Sequence, residues 1–242
     1  MKRRNFALGI GATPLWLQSA WAADEAVEGK NFTKLQKPVP VALPKKVEVI
    51  EFFGYWCPHC NHLEPTLEAW LKKLPSNVNF RRVPVAWRED QIPLQKLYFG
   101  LEALGGLDAV HAKVFQAVHV QHQRMVTDAD IGSFAQANGI DKVKLANAMT
   151  GFAGATKVRM ANQLIAAYQI EGVPTFGING QFVTSPELAK GEGQALRVAE
   201  ALIRRAKTSA ERPRIQRCAA SRTALKVGLE RMTAVTFCTS GM

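Results

Sequence analysis

The cysteines Cys57 and Cys60, spaced as C-x-x-C, could carry thiol–disulfide chemistry, because such a pair can close a small disulfide ring. A cysteine that starts a helix lies near unpaired backbone N–H groups and the positive end of the helix dipole, which favour thiolate over thiol. Pro58 suits a first helical turn, and His59 adds a donor and, when protonated, a positive charge. A stable Cys57 thiolate is a good leaving group, so we predict an oxidising disulfide with Cys60 as the buried resolving partner.

Three other uses of this motif fit the residues less well. A structural disulfide across so short a loop would remove little chain entropy. A zinc site needs about four ligands, and the histidines His59 and His62 with the distant Cys218 and Cys238 make a poor set. A c-type haem site needs a histidine directly after the second cysteine, where the chain has Asn61. We therefore predict redox chemistry at this motif in preference to a structural disulfide, a metal site or a haem site.

Two further features could complete a redox site. Glu51 lies inside an apolar run. It is either a buried carboxyl that shuttles protons to and from Cys60, or a side chain that reaches solvent at the strand end. Pro174 follows Val173 at the start of a returning strand, where it is either a trans edge proline or a cis proline. A cis proline packed against the cysteines would leave the preceding backbone free to pair with an extended substrate peptide.

The spacing of apolar residues predicts the elements that position these side chains. The turn signal Asn179-Gly180 indicates a hairpin, because a type I′ turn needs positive φ at both positions. Thr127 with Asp130 forms a capping-box pattern at a helix start. The predicted strands are 47–53, 78–87 and 173–184, the predicted helices are 58–74 and 192–207, and residues 93–170 look helical throughout.

This order predicts an α/β chain with a thioredoxin fold that is split by an inserted helical subdomain. A length of 242 residues is enough for one core with such an insertion. The predicted division is a signal peptide at 1–22, an extended lead-in at 23–44, a thioredoxin-like domain at 45–91 and 171–207, the helical subdomain at 92–170, and a basic tail at 208–242.

The first 22 residues have the three parts of a cleavable signal peptide. A basic start is followed by an apolar run that ends at Leu17, and Ala20-Trp21-Ala22 offers small residues where a signal peptidase cuts, before Ala23. Arg3-Arg4 also fits a twin-arginine leader, so the export route stays open. Export would place the chain in an oxidising compartment, where disulfide chemistry is possible.

The formal net charge of +11 comes mostly from the two ends of the chain. The leader and the tail together hold most of the excess Lys and Arg, and the remainder is an ordinary surface. A charge this modest gives no argument for nucleic-acid binding. The tail contains Cys218 and Cys238, which could pair with each other, and we interpret it as a disordered appendage or the product of a shifted reading frame.

Two segments carry a resemblance to a known family. Residues 52–60, FFGYWCPHC, resemble the active-site segment of the DsbA family of periplasmic dithiol oxidases, and residues 172–176, GVPTF, are similar to that family's cis-proline loop. The resemblance covers roughly residues 24–206, including the helical insertion, and it stops before the tail.

The resemblance implies a role for each candidate residue and a set of partners. The implied substrates are reduced, unfolded, exported proteins in the periplasm, and the implied reoxidant is a membrane quinone reductase of the DsbB type, with no bound cofactor. The protein would act as a monomer. The implied roles are Cys57 as nucleophile, Cys60 as resolving thiol, His59 as tuner of the redox pair, Val173-Pro174 as a substrate-binding cis pair, Glu51 as proton relay and Arg82 as its basic neighbour.

Two other functions remain as alternatives at this point. A disulfide isomerase or reductase could use the same fold, although an isomerase would usually need a dimerisation domain, and the lead-in before Pro44 is too short to form one. A non-catalytic periplasmic metal-binding module could use Cys57, Cys60 and nearby histidines.

Overall fold

The structure is a computed structural model that describes residues 26–206. The predicted leader at 1–22 and tail at 208–242, with Cys218 and Cys238, lie outside the described residues. Five strands form one mixed sheet: β1 Thr33–Lys34, β2 Val47–Phe53, β3 Val78–Pro84, β4 Thr175–Ile178 and β5 Phe182–Thr184. Their order in the sheet is β1-β5-β4-β2-β3.

Strand β2 occupies an interior position in this sheet, and every one of its residues is buried. It pairs in parallel with β3 on one side and antiparallel with β4 on the other. A strand covered on both faces is typically a nearly continuous apolar run, and VEVIEFF has this character apart from its two glutamates. The end of β2 at Phe53 leads directly to the two cysteines.

Eight helices surround the sheet within the part of the chain that the structure describes: α1 Pro58–Leu71, α2 Ile92–Ala103, α3 Leu107–His119, α4 Asp128–Ala137, α5 Lys142–Thr150, α6 Phe152–Ala167, α7 Pro186–Ala189 and α8 at 192–206. A short 3₁₀ turn at Glu89–Gln91 precedes α2. Helices α2 to α6 lie between β3 and β4 in the chain, which confirms the predicted thioredoxin-like fold with an inserted helical part. None of the helices within residues 26–206 is long and apolar enough to cross a membrane.

Two predicted elements end earlier than expected. Helix α1 ends at Leu71 and not at Leu74, because Leu74 donates to the Leu71 carbonyl in a bond of the 3₁₀ type that tightens the last turn. Strand β3 ends at Pro84 and not at Trp87. Proline has no N–H to donate to a neighbouring strand. Among the described residues between Pro84 and the 3₁₀ turn, the N–H of Val85 alone adds a backbone hydrogen bond to the sheet, to the Phe53 carbonyl.

Local signals are confirmed at two sites. Asn179 and Gly180 have φ angles of 52° and 65°, as a type I′ turn between β4 and β5 requires. Thr127 caps α4, since its hydroxyl accepts from the N–H of Asp130 while the Asp130 carboxylate accepts from the N–H of Thr127.

The lead-in adds an edge strand that the sequence does not predict. Thr33 and Lys34 pair antiparallel with Val183 and Phe182 of β5. A strand of two residues is too short to show alternation, so its conformation depends on the partner strand and not on a local pattern.

Candidate active site

The two cysteines lie at the first turn of α1. Cys57 is the N-cap residue, and its N–H donates to the Gly54 carbonyl at 3.0 Å. Pro58 occupies the first helical turn, as predicted. Cys57 is 4% exposed, Cys60 is completely buried, and both are free thiols here. The helix start therefore places one thiol at the rim of the site and the other inside it.

The two thiols have opposite pKa shifts. A hydrogen bond from the Cys60 thiol is the largest cause that lowers the pKa of Cys57, from 9.0 to about 6, and burial opposes it. The backbone N–H groups of Cys60 and His59 and the charge of His59 lower it further. Burial raises the pKa of Cys60 well above its usual value, and interactions with Cys57 and Glu51 add to this effect. At neutral pH Cys57 is thus a thiolate and Cys60 a thiol.

The cis-proline loop meets the redox pair directly. The Val173-Pro174 bond is cis, which decides between the two isomers that the residues alone leave open. Sγ of Cys57 lies 3.4 Å from the Val173 carbonyl oxygen, which accepts from Cys57 only while that thiol is protonated. The structure thus brings together the predicted site residues Cys57, Cys60, His59, Val173 and Pro174. Cys57 and Val173, which are in contact, are 116 positions apart in the sequence.

Glu51 is completely buried beneath the cysteines and does not reach solvent. The register of β2 and β3 pairs it with Arg82, whose Nε donates to Oε2 at 3.0 Å. Its Oε1 has no hydrogen-bond partner among the described residues. Burial raises the pKa of Glu51 to about 8, the Arg82 charge opposes this, and the nearby charge of Glu64 adds to it. Glu51 therefore carries a proton at neutral pH.

Arg82 joins Glu51 to two carboxylates of α1. Its Nη2 lies 3.1 Å from Glu64 and 2.8 Å from Glu68. The guanidinium can serve three carboxyl groups at once because it presents several N–H donors in a fixed plane. The positive charge beside the buried Glu51 is therefore shared with Glu64 and Glu68.

Sequence reasoning missed Tyr55, whose side-chain hydroxyl and backbone carbonyl both form hydrogen bonds with helix α3 of the insertion. Burial raises the pKa of Tyr55 well above its usual value, so the phenol keeps its proton, and its hydroxyl is hydrogen-bonded to Nδ1 of His111 at 2.7 Å. Nε2 of His119 donates to the Tyr55 carbonyl at 2.8 Å, and Nε2 of His111 lies 3.3 Å from Glu64. His111 and His119 are eight residues apart and share a face of α3 with Phe115, a spacing that could have signalled a common contact.

Comparisons with known proteins agree with this geometry. A family model described as DSBA-like thioredoxin domain matches residues 90–194, and one described as Thioredoxin matches residues 27–93. The chain is 37% identical to the thiol:disulfide interchange protein DsbA of Bordetella pertussis, over 81% of this chain and 92% of that protein. It is 40% identical to DsbA of Burkholderia cepacia, over 74% of this chain and 84% of that protein. The chain belongs to the DsbA family.

A solved structure of a DsbA family member extends the comparison to the fold. The crystal structure of Pseudomonas aeruginosa DsbA superimposes with a TM-score of 0.75 at 35% identity, over 78% of this chain and 98% of that one. This DsbA-family protein is therefore a thiol–disulfide oxidoreductase with the thioredoxin-like fold. Neither of the alternative functions is favoured by these relatives. Within residues 26–206, no three His, Cys, Asp or Glu side chains are grouped so that they could hold a metal ion.

Proposed function

We propose that this protein is a periplasmic dithiol oxidase that passes a Cys57–Cys60 disulfide to newly exported, reduced proteins. The observation that carries the proposal is the opposite shift of the two thiol pKa values, which keeps Cys57 as a thiolate near pH 7 and Cys60 as a thiol. A stable thiolate favours the reduced pair, so the disulfide gives up its bond readily to other thiols.

The transfer takes two exchange steps at these sulfurs. A substrate thiolate attacks Sγ of Cys57, a substrate–Cys57 bond forms, and the Cys57–Cys60 bond breaks. Cys60 leaves as a thiolate and takes a proton, because its pKa is high. A second substrate thiolate then attacks the first substrate sulfur and releases Cys57, which stays ionised. Two electrons pass from the substrate to the protein, while one substrate proton is kept on Cys60 and the other enters solvent.

Glu51 is suited to deliver the proton that Cys60 takes. It is buried, it carries a proton below a pKa of about 8, and in its ionised form it raises the pKa of the Cys60 thiol. Arg82 holds Oε2 while Oε1 remains without a partner among the described residues. A carboxylic acid placed in this way can act as a general acid to the leaving Cys60 and later as a general base.

Glu51→Gln is expected to slow substrate oxidation at pH 7 by about tenfold or more, since the amide cannot supply a proton. The wild-type advantage should be present below the Glu51 pKa of about 8 and should fade as pH rises through that value. Stopped-flow measurement of single-turnover oxidation across pH tests this. Glu48→Gln is the matched control, because Glu48 is also fully buried in β2 but pairs with Arg81. Equal slowing by both substitutions, or an unchanged pH profile, contradicts the role.

The proposed partners follow from the family and from the chain's own leader. Reduced exported proteins are the proposed substrates, and a DsbB-type membrane quinone reductase is the proposed reoxidant. Export is supported by the signal-peptide pattern of residues 1–22. The cis Val173-Pro174 segment supports a site where the backbone of an extended substrate binds beside Cys57.

The test of the proposed function uses the oxidised protein and a reduced, unfolded protein with two cysteines. Wild type is expected to form one substrate disulfide for each protein disulfide consumed, and much faster than oxidised glutathione at equal concentration. Protein whose thiols have been reduced and alkylated is the control for air oxidation. Persistence of substrate thiols beside protein that stays oxidised overturns the proposal.

A further inference from the structure

A cavity of about 660 Å³ opens beside the cis-proline loop. The loop at 169–175 forms one wall, and the segment at 185–188 forms the other. His59 borders the cavity from α1, and Val173 joins it to the redox pair, since the Val173 carbonyl oxygen lies 3.4 Å from Sγ of Cys57. A substrate segment bound beside Cys57 would therefore place neighbouring side chains in this cavity.

The cavity has an apolar lining and acidic side chains. Ile170, Val173, Pro174, Val183 and Leu188 supply apolar surface. Three glutamates, Glu171, Glu187 and Glu192, also line it, and none of its described lining residues is Lys or Arg.

The three glutamates differ in how they are paired. Glu192 lies 2.7 Å from Nδ1 of the exposed His62, which can neutralise it when protonated. Glu171 and Glu187 are exposed and make no ion pair with another described residue. These two carboxylates therefore give their part of the cavity a negative potential.

We propose that this cavity selects substrate segments that carry Lys or Arg close to the reacting cysteine. The inference rests on the proposed oxidase function and names the class of segment that it prefers. Lys and Arg suit both parts of the cavity, because their aliphatic stems pack on apolar surface while their charged heads reach solvent-facing carboxylates. A segment rich in Asp or Glu meets like charge at the same position and binds less well.

A Lys or Arg beside a substrate cysteine lowers the pKa of that cysteine and so raises its thiolate fraction, whichever protein it reacts with. A faster reaction with basic peptides is therefore not by itself evidence for selection by the cavity. The test must compare peptide preferences between protein variants. The ratio of two peptide rates within one variant also cancels any general change in Cys57 reactivity. Glu171→Gln with Glu187→Gln removes both unpaired charges while it keeps the shape of the side chains.

The experiment measures oxidation of three reduced two-cysteine peptides that are identical except for Lys, Ser or Glu beside the cysteines. At low salt we expect wild type to oxidise the Lys peptide faster than the Glu peptide. The ratio of these two rates should be about fivefold higher for wild type than for the double glutamine variant. At about 1 M salt, where the Debye length is about 3 Å, that excess should disappear. Glu89→Gln, an exposed glutamate outside the cavity, is the control and should keep the wild-type ratio.

The results separate this inference from the proposed function. Oxidation of the Ser peptide by every variant supports the oxidase function and shows that the variants are folded. The same Lys-to-Glu ratio in wild type and in the double variant overturns the inference, even when all peptides are oxidised. Failure to oxidise any peptide overturns the proposed function and the inference with it.

Discussion

Cys57→Ser is expected to abolish substrate oxidation, whereas Cys60→Ser is expected to keep an attacking thiol that traps mixed disulfides. Cys57 is at the rim of the site with a pKa of about 6, while Cys60 is completely buried with a raised pKa. In Cys60→Ser the new hydroxyl can still donate to the Cys57 thiolate, so the largest cause of the low pKa is partly kept. When the Cys57 thiolate of this variant attacks a disulfide of an oxidised substrate, the substrate disulfide breaks and a Cys57–substrate disulfide forms. Cys60 is not there to displace the substrate, so this mixed disulfide persists.

Alkylation of the remaining active-site thiol at pH 7 measures this asymmetry. A thiol of pKa about 6 is about nine-tenths ionised at pH 7, whereas one of pKa 9 or more is ionised to about one part in a hundred or less. Cys57 in the Cys60→Ser variant should therefore be alkylated about a hundredfold faster than Cys60 in the Cys57→Ser variant. Mass spectrometry of samples taken over time measures the two rates. The variant with both substitutions is the control for other reactive groups. Equal alkylation rates in the two single variants contradict the assigned roles.

Phe53→Ala is expected to lower the free energy of unfolding by about 3–5 kcal/mol. Phe53 is completely buried at the end of β2, and its ring lies 5.1 Å from Tyr55 and 5.5 Å from Tyr98 between centroids. It also contacts the rings of His111 and Phe115 in α3. Alanine would leave a cavity between the sheet and the insertion, which these rigid rings can fill only in part.

Urea unfolding of the reduced protein measures the loss, and Phe152→Ala provides a control with the same change of side chain. Phe152 begins α6 and is 87% exposed, so its removal should change the free energy of unfolding by no more than about 0.5 kcal/mol. Losses of similar size in the two variants contradict the view that the aromatic cluster around Phe53 holds the insertion to the sheet.

The elements that position the active site follow from local patterns. The apolar run before Cys57, the proline after it and the Asn179-Gly180 turn are each encoded within a few residues, so they can be recognised without knowledge of the rest of the chain. The low pKa of Cys57 follows in direction from its place at a helix start. Its largest cause, the hydrogen bond from Cys60, depends on the rotamers of two side chains and is not visible in the spacing.

Features that depend on distant contacts could not be predicted in the same way. Glu51 is kept from solvent because β2 lies inside the sheet and is buried over its whole length, while the pairing of β2 with β3 places Arg82 beside it. The contacts of His111 and His119 with Tyr55 join residues more than fifty positions apart. No local periodicity records such a pairing, and both histidines would fit an ordinary amphipathic helix equally well.

The hydrogen bonds of His111 and His119 of α3 with Tyr55 have a consequence for the redox equilibrium of the two cysteines. Tyr55 is two residues before Cys57, so closing or opening the disulfide and docking the insertion belong to one thermodynamic cycle. Coupling in such a cycle is reciprocal. Any free energy by which the disulfide strengthens or weakens the docking of α3 equals the free energy by which that docking favours or disfavours the disulfide. A substitution on α3 that changes docking equally in both redox states leaves the potential unchanged, and one that changes docking in only one state shifts the potential by the same free energy.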